Sequence, residues 1–363
     1  MDGLETVVAA ETILSDVDGG NGRLVIRGRE LDEIAGRLSF EAVARLLLEG
    51  LVDDLPEGET FARRLGAART EVFAETAALD PVLRERPPVD VLRALLARLA
   101  DGEDTATAFR LLAAPAVFTA AVIRAGQGLA PVAPDPALGH AADALRMVRA
   151  EAASPAEAAA LDAYLVTIVD HGLNASTFAA RVAASTRAGL TSAVLAGISA
   201  LKGPLHGGAP GPVIEMLDQI GEPEGATAWL EAALVRGDRL MGFGHRIYRV
   251  RDPRADALKR AVQTLSAASP ALPGRLALAE AVEAAALDVL RRRKPGRSLQ
   301  TNVEFYTAVL LEALGFPADA FTCVFATGRV AGWVAHASEQ VRSGRLIRPQ
   351  SRYIGPDPSR AAA

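Results

Sequence analysis

Three histidines of this chain lie where a side chain could reach a small ligand. His206 follows a Gly-Pro-Leu sequence and precedes two glycines, and His245 lies in Gly-Phe-Gly-His-Arg, so both occupy turns that let the backbone approach a ligand closely. His171 closes a predicted helix just before a glycine. Imidazole exchanges protons near neutral pH, which suits acid–base chemistry. A lone histidine is more often structural, and we assign that role to His140 and His336.

The cationic side chains are local features of a chain that is acidic as a whole. The 363 residues carry a net charge of −5, which argues against nucleic acid as the main partner. Basic residues cluster at 291–294 and again between 342 and 352. Both clusters are candidate sites for an anionic ligand, although such runs are usually solvated helix ends.

The motifs that are missing from the sequence exclude several kinds of site. There is no GxxxxGK[ST] phosphate loop, no GxSxG nucleophile elbow and no HExxH metal motif. GFGHRI lacks the third glycine and the preceding strand of a dinucleotide-binding fingerprint. The single cysteine, Cys323, excludes an internal disulfide, and its apolar neighbours predict a buried thiol.

The elements that must position the histidines are predicted to be helices. Alanine, leucine and arginine dominate, and apolar residues recur every three or four positions, so the predicted fold class is all-α. Asp252, before a proline, is a candidate N-cap, and Thr301 or Asn302 can cap another helix that ends at Gly315. The other predicted helices cover residues 156–169, 175–188, 191–201, 276–293 and 317–341.

Four shorter segments complete the predicted organisation. Residues 12–26, with Asp18-Gly19-Gly20 between apolar runs, predict a small β-hairpin. The apolar run 111–123 is too short to cross a bilayer and predicts a buried helix. Residues 128–136 predict a flexible Pro-rich bridge. The acidic N-terminus shows no secretory signal, which predicts a cytoplasmic location.

Long motifs resemble the citrate synthase family. They are DHGLNASTFAARV at 170–182, GPLHGGA at 203–209, GFGHRIYRVRDPR at 242–254, TNVEFY at 301–306, GRVAGWVAH at 328–336 and RLIRPQSRYIG at 345–355. The opening of the chain also matches, as does LLLEG at 46–50, whereas PVDVL at 88–92 is a looser match. Essentially the whole chain is covered.

This resemblance implies an acyltransferase that condenses acetyl-CoA with oxaloacetate and hydrolyses the citryl-CoA intermediate to citrate and CoA. Glu304 would be the base that removes a proton from the acyl α-carbon. His206 would donate a hydrogen bond to the thioester oxygen, and His245 would polarise the oxaloacetate carbonyl. The residues implied to bind the oxo acid are His171, Arg254, Arg329 and Arg348, the last supplied by the other subunit.

The resemblance also implies binders of coenzyme A and an architecture. The thioester is a substrate, and no metal or redox cofactor is implied. The chain would form a homodimer of helical subunits, each with a large domain at 1–208 and 310–363 and a smaller, mobile domain at 209–309. The residues implied to bind coenzyme A are Gly242, Phe243, Gly244, Arg246 and Arg251.

One residue departs from the family's pattern. The family's usual base is aspartate, and Glu304 is one methylene longer. We interpret it as variation within the family; the alternative is a weakened enzyme, because a displacement of about 1 Å can cost on the order of 100-fold in rate. The predicted helix N-terminus would favour the ionised form of Glu304.

Two other functions remain open from the sequence. A 2-methylcitrate synthase would share these motifs and use propionyl-CoA, and one methylene is worth only about 1–3 kcal/mol of discrimination. A weakly active CoA-binding regulatory homologue is the second alternative, and the retained histidines and arginines argue against it.

Overall fold

The computed structural model of the chain describes residues 3–4, 7–207, 211–245, 247–269 and 272–356. These residues form an assembly of α-helices with one small sheet, which confirms the all-α prediction. Within the described ranges the helices are α1 (Leu31–Ile34), α2 (Phe40–Leu48), α3 (Gly58–Val72), α4 (Pro81–Arg84), α5 (Pro88–Leu96), α6 (Thr105–Gly126), α7 (His140–Arg149), α8 (Pro155–Thr167), α9 (Ala175–Ser185), α10 (Leu190–Leu201), α11 (Gly211–Ile220), α12 (Ala226–Arg236), α13 (Pro253–Ala268), α14 (Pro273–Arg293), α15 (Val303–Ala313) and α16 (Phe321–Ser343), with 3₁₀ turns at Phe73–Ala78, Pro223–Gly225 and Ala318–Ala320.

The predicted hairpin at the start of the chain is confirmed. Strands β1 (Ser15–Asp18) and β2 (Arg23–Ile26) pair antiparallel, and a two-residue strand that the sequence did not predict, β3 (Arg29–Glu30), pairs with β2. The turn between β1 and β2 is closed by the carboxylate of Asp18, which accepts hydrogen bonds from the amides of residues 20 and 21.

The two predicted N-caps open the helices that carry the site. Asp252 accepts from the amide of Arg254 at the start of α13. Asn302 accepts from the amide of Glu304 at the start of α15, and Gly315 follows that helix with a φ of +77°. Cap side chains satisfy amides that the first turn leaves unpaired, which is why these short polar residues mark the helix starts.

Helix α16 is the centre of the molecule and lies directly against the chain segment that leads to His171. It is buried along most of its length and packs against α2, α6, α8, α9 and α10. A Cβ on Gly332 would lie 3.2 Å from a carboxylate oxygen of Asp170, and one on Gly328 would lie 2.8 Å from Ile168. Two glycines therefore let the backbone of α16 approach residues 168–170.

Of two further predicted segments, the structure confirms one and contradicts the other. The apolar run lies in α6, which is the one helix among the described residues that is long and apolar enough to cross a membrane; most of it is buried in the core, as predicted. The Pro-rich bridge at residues 128–136, which the sequence predicted to be flexible, is held by contacts from Arg69 at its C-terminal end. Arg69 forms a fully buried ion pair with Asp143 (2.8 Å) and donates to the carbonyl oxygens of Asp135 and Leu138.

Helices α11 to α15 pack mainly on one another, and α13 also packs on α8 and α1. They cover most of the predicted small domain. Its predicted end at residue 309 falls inside α15, and its start at 209 lies outside the described residues. The division into two domains therefore stays a prediction.

Asp162 predicts a pH dependence of stability. Burial, together with the nearby charge of Glu41, raises the pKa of Asp162 to about 7, while the hydrogen bond from the amide of Phe40 opposes the rise. The folded chain thus binds more protons than the unfolded chain between about pH 4 and pH 7. The contribution of Asp162 to the free energy of unfolding therefore falls as pH rises through that window. Asp162→Asn should raise the free energy of unfolding by about 1–2 kcal/mol at pH 8 and change it little at pH 4.

Urea unfolding at both pH values measures this difference. The matched control is Glu151→Gln, which neutralises an exposed carboxylate in a loop. An equal effect of Asp162→Asn at pH 4 and pH 8 would contradict the assignment.

Candidate active site

The segments that precede His245 and Glu304 pair with each other. Two backbone hydrogen bonds of 2.7 and 2.9 Å join residues 242–244 to residues 300–302. The side-chain amide of Asn302 adds a third, to the carbonyl oxygen of Gly244 (2.8 Å). The segment that leads to His245 and the segment that leads to Glu304 are far apart in the sequence, and these hydrogen bonds hold them side by side.

Two glycines in these paired segments are required both by their backbone conformation and by the lack of space for a side chain. Gly242 and Gly244 have φ values of +84° and +82°, which other residues rarely adopt. A Cβ on Gly242 would lie 2.8 Å from the Phe305 ring, and one on Gly244 would lie 2.9 Å from Leu299. The turn predicted at GFGH is therefore held close to the start of α15.

A buried carboxylate joins the same two elements a second time. Asp252 binds the guanidinium of Arg254 through both oxygens, at 3.0 and 2.8 Å, and also accepts from the amide of Val303 (3.2 Å). Burial alone would lower the pKa of Arg254, but the charge of Asp252 outweighs it and raises the pKa. Arg254 is therefore a fixed cation beside the first turn of α15.

The hydrogen bonds of His245 determine which of its nitrogens can donate. Its Nδ1 lies 3.0 and 3.1 Å from the amides of Ile247 and Tyr248, both of which donate to it. An imidazole nitrogen that accepts hydrogen bonds carries no proton, so the neutral ring must carry its proton on Nε2. That nitrogen lies 3.3 Å from Nη2 of Arg254, which is also a donor. The pair presents two N–H groups to an acceptor.

His206 is oriented by a serine that the sequence did not single out. Its Nε2 lies 2.8 Å from the buried Oγ of Ser176, which also receives a hydrogen bond from Nε1 of Trp333 (3.2 Å). Oδ1 of Asn174 lies 2.8 Å from the same hydroxyl, but it already accepts from two amides at the start of α9. The single hydroxyl hydrogen can point to Asn174 Oδ1 or to His206 Nε2, and when it points to His206 the free donor of the neutral ring is Nδ1–H.

His171 lies beside His245 at the centre of the cluster. The two rings are 5.8 Å apart in an edge-to-face arrangement, and Nε2 of His171 lies 3.1 Å from the hydroxyl of Tyr248. Burial, and then the nearby charge of Arg254, lower the pKa of His171 well below its ordinary value. The ring is a neutral polar group next to two cations.

Arg329 is the less satisfied of those two cations. Its Nε donates to the carbonyl oxygen of Ile168 (2.6 Å), and its guanidinium lies over the ring of Phe325. Within the described residues no carboxylate lies within 4 Å of it. Burial lowers its pKa to about 10, which the charge of Asp170 only partly offsets. A buried guanidinium without a carboxylate partner is prepared to bind an anion.

Glu304 occupies the second position of α15, as predicted. The position at a helix N-terminus was expected to favour the ionised carboxylate. Burial outweighs that effect and raises the pKa of Glu304, although Arg254 and Arg239 pull it down. A partly desolvated carboxylate with a raised pKa is a stronger base than one in water.

Arg251 is held by internal contacts rather than left free. Its guanidinium lies 2.5 Å from Asp256 and 2.8 Å from Glu283. Glu283 is itself a buried hub that also accepts from Thr301 (2.7 Å) and Tyr306 (2.6 Å). These contacts favour a structural role for Arg251, and its predicted role in coenzyme A binding stays untested.

A cavity of about 410 Å³ lies beside the GFGH loop, and Arg254 does not line it. Phe243, Gly244 and His245 form one wall, and three cationic side chains, Arg239, Lys294 and Arg297, lie on the others. Lys294 and Arg297 are exposed. The cavity could accept a flat apolar group with phosphates nearby.

Other predicted site residues are not part of this cluster. Arg246 lies outside the described residues, and Arg348 is exposed in the extended segment after α16. His140 is fully buried and stacks on Phe40, and His336 donates to Asp170 (3.1 Å) in the core, so neither lines the site. Among the described residues no group of three or more histidine, cysteine or acidic side chains could hold a metal ion.

The sequence reasoning missed the residues that hold the others in place. Ser176 lies within the DHGLNASTF segment, and Asp252 was recognised only as a helix cap. Their roles depend on contacts with residues distant in the chain, and a single sequence carries no signal for these.

Comparison with known proteins gives a consistent result over the whole chain. A family model described as citrate synthase, C-terminal domain, matches residues 3–350. The citrate synthase of Haloferax volcanii is 37% identical, with 97% of this chain and 95% of that protein covered. The 2-methylcitrate synthase of Mycobacterium tuberculosis is 36% identical, with 97% and 90% covered. Citrate synthase from Thermoplasma acidophilum, in a ternary complex with carboxymethyl coenzyme A and oxaloacetate, matches with a TM-score of 0.84 and 29% identity, with 98% of this chain and 96% of that chain covered.

The charges around the two loop histidines predict that both remain neutral at physiological pH. Burial, followed by Arg329 and Arg254 for His206 and by Arg254 for His245, lowers the pKa of each ring to about 4. NMR of protein with ¹³C-labelled histidine should therefore show neither ring titrating between pH 5.5 and 8. The variants His206→Asn and His245→Asn assign the signals. In urea all rings should titrate near the ordinary value of about 6.5, and a midpoint above 6 for either folded ring would show this prediction to be wrong.

Proposed function

The chain belongs to the citrate synthase family, and we propose that it condenses acetyl-CoA with oxaloacetate and hydrolyses citryl-CoA to citrate and CoA. One observation carries the proposal: the bridge between residues 242–244 and 300–302 holds His245 and the carboxylate of Glu304 beside Arg254. A base, two neutral donors and two cations around one site are what this reaction requires.

In the first step Glu304 removes a proton from the α-carbon of acetyl-CoA. Its raised pKa supports this role, because a base that is stronger than an exposed carboxylate narrows the gap to a weakly acidic C–H. The negative charge that develops on the thioester oxygen is held by Nδ1–H of His206. The Ser176 hydroxyl keeps that imidazole neutral and correctly oriented.

In the second step the new carbon nucleophile attacks the carbonyl carbon of oxaloacetate. Nε2–H of His245 donates to the carbonyl oxygen. Nδ1 accepts hydrogen bonds from two amides, and the proton of the neutral ring is therefore on Nε2. Arg329, Arg254 and His171 bind the carboxylates. Arg254 has only part of its guanidinium free, since Asp252 occupies Nε and one side of Nη2. Water then cleaves the thioester of the bound citryl-CoA, which releases citrate, CoA and a proton.

Coenzyme A is proposed to enter through the cavity beside the GFGH loop. Its adenine would lie against the Phe243–Gly244 backbone, and its phosphates would reach Arg239, Lys294 and Arg297. This arrangement places the thioester end next to His245. Gly242 shapes the loop without lining the cavity.

The active unit is proposed to be a homodimer. Arg348 lies exposed in the C-terminal segment of its own chain, together with the exposed apolar side chains of Leu346, Tyr353 and Ile354. A second copy would cover these side chains, and Arg348 of the partner subunit could then supply a further cation to the oxo acid. A twofold axis would repeat the contact in both sites.

Turnover by the wild-type protein and by Glu304 variants tests the function. Wild-type protein should release CoA from acetyl-CoA only when oxaloacetate is present. Glu304→Gln keeps the shape but removes the base, so kcat should fall by about 100- to 10,000-fold while oxaloacetate affinity changes little. Glu304→Asp should also lose about 10- to 100-fold, because its carboxylate is drawn back from the substrate.

Glu215→Gln, which removes an exposed carboxylate from α11, is the control and should leave kcat unchanged. Parallel assays with propionyl-CoA decide the acyl preference. Near-normal turnover by Glu304→Gln would rule out its role as the base. A wild-type protein inactive with both thioesters would overturn the proposed function.

The coenzyme A cavity gives a separate prediction. Lys294→Ala and Arg297→Ala should each raise KM for acetyl-CoA by about 5- to 30-fold and leave kcat nearly unchanged, since the phosphates are bound equally in the ground and transition states. Arg291→Ala is the matched control, because it removes a charge from the same helix end without lining the cavity. If all three variants had the same KM, the cavity would not be the phosphate site.

A further inference from the structure

The turn between β1 and β2 lies between two segments of the site. On one side, Ser15 donates to the carboxylate of Asp170 (2.5 Å) and accepts from the amide of Gly172 (3.0 Å), so it holds both neighbours of His171. On the other side, the carbonyl oxygen of Gly19 accepts from the amide of Arg249 (2.8 Å). The hairpin therefore touches the backbone on both sides of the cluster.

Gly19 makes this contact at a distance that no other residue would allow. A Cβ at this position would lie 2.7 Å from the carbonyl carbon of Ile247 and closer still to its oxygen. Real Cβ atoms do not approach backbone so closely, so a larger residue must displace residues 247–249 or the turn. The φ of Gly19 is not in the left-handed region, so space alone demands glycine here.

Gly20, the next residue, has no such restriction. A Cβ there would meet only the carboxylate of Asp18, at 3.4 Å, which is an ordinary contact. Its φ is likewise outside the left-handed region. Of these two neighbours, only Gly19 approaches Ile247.

Displacement of residues 247–249 would move His245 directly. The amides of Ile247 and Tyr248 are the two donors that hold Nδ1 of His245, and the Tyr248 hydroxyl is the neighbour of His171. The same segment continues to Arg254, whose anchor is Asp252. A shift at Ile247 is thus passed on to the ring and to the orientation of its Nε2–H.

We propose that the β1–β2 turn is a backbone stop that sets the distance between the His245 segment and His171, with Gly19 as the positioning residue for oxaloacetate binding. The proposal depends on the proposed function, because it assigns the affected ligand to that site. It gives a task to a turn that contributes no side chain to the reacting atoms.

The test compares Gly19→Ala with Gly20→Ala in the full-length protein. Oxaloacetate affinity is measured by calorimetry, steady-state kinetics give kcat and KM, and thermal unfolding reports stability. Gly19→Ala should weaken oxaloacetate binding and lower kcat/KM for oxaloacetate by about 10- to 100-fold, the cost expected of a displacement near 1 Å. KM for acetyl-CoA at saturating oxaloacetate should change less than about threefold, since the side chains proposed to bind the phosphates, Arg239, Lys294 and Arg297, lie outside the displaced segment.

Gly20→Ala should behave as wild type in every measurement. Equal oxaloacetate affinity for the two variants, whether both are normal or both are weakened, would overturn the proposal. If Gly19→Ala does not fold, Ser15→Ala decides the matter, because it frees the other side of the hairpin. It should weaken oxaloacetate binding by at least about threefold without changing KM for acetyl-CoA, and unchanged binding would overturn the proposal. A wild-type protein that neither binds nor turns over oxaloacetate would instead refute the proposed function.

Discussion

The site depends on one buried carboxylate, that of Asp252. Its two oxygens accept hydrogen bonds from the amide, Nε and Nη2 of Arg254 and from the amide of Val303. One side chain thus caps α13, fixes the central cation and holds the start of α15, where Glu304 lies. Removing one partner of such a buried pair typically costs about 3–5 kcal/mol, because the other charge is left without compensation. Geometry and charge in the site are therefore set together.

The charges of the cluster explain why its histidines are neutral. Asp252 neutralises Arg254, whereas Asp170, the carboxylate closest in effect to Arg329, is engaged by His336 and Ser15. Positive charge therefore remains at Arg329. Burial lowers the pKa of the neighbouring rings first, and the charges of Arg254 and Arg329 add to it for His171 and His206, as does the charge of Arg254 for His245; the same positive charge attracts a dicarboxylate. The feature that prepares the site for an anion is the same one that keeps the imidazoles as neutral hydrogen-bond donors.

Local signals predicted more of the fold than of the contacts within the site. The N-caps Asp252 and Asn302 and the hairpin turn at Asp18 are properties of a few consecutive residues, and all three were predicted from the sequence. The fastening of residues 128–136 by Arg69, and the partner of Ser176, depend on chain segments that meet only after folding. The motif resemblance named the histidines, Glu304 and the arginines, but it could not show that Arg251 is already bound to carboxylates.

The length of the Glu304 side chain is meaningful because its backbone cannot adjust. The residues before it are bound to Gly242 and Gly244, Val303 is bound to Asp252, and the helix that follows is buried. The position of the Glu304 carboxylate relative to α15 is therefore set by the length and conformation of its own side chain. An aspartate in the same frame would end one methylene short, unless the opposing wall moved inward. Under the proposed role of Glu304 as the base, the thioester would therefore lie one methylene farther from α15 than an aspartate at this position would require, and the wall opposite the helix would have to provide that space.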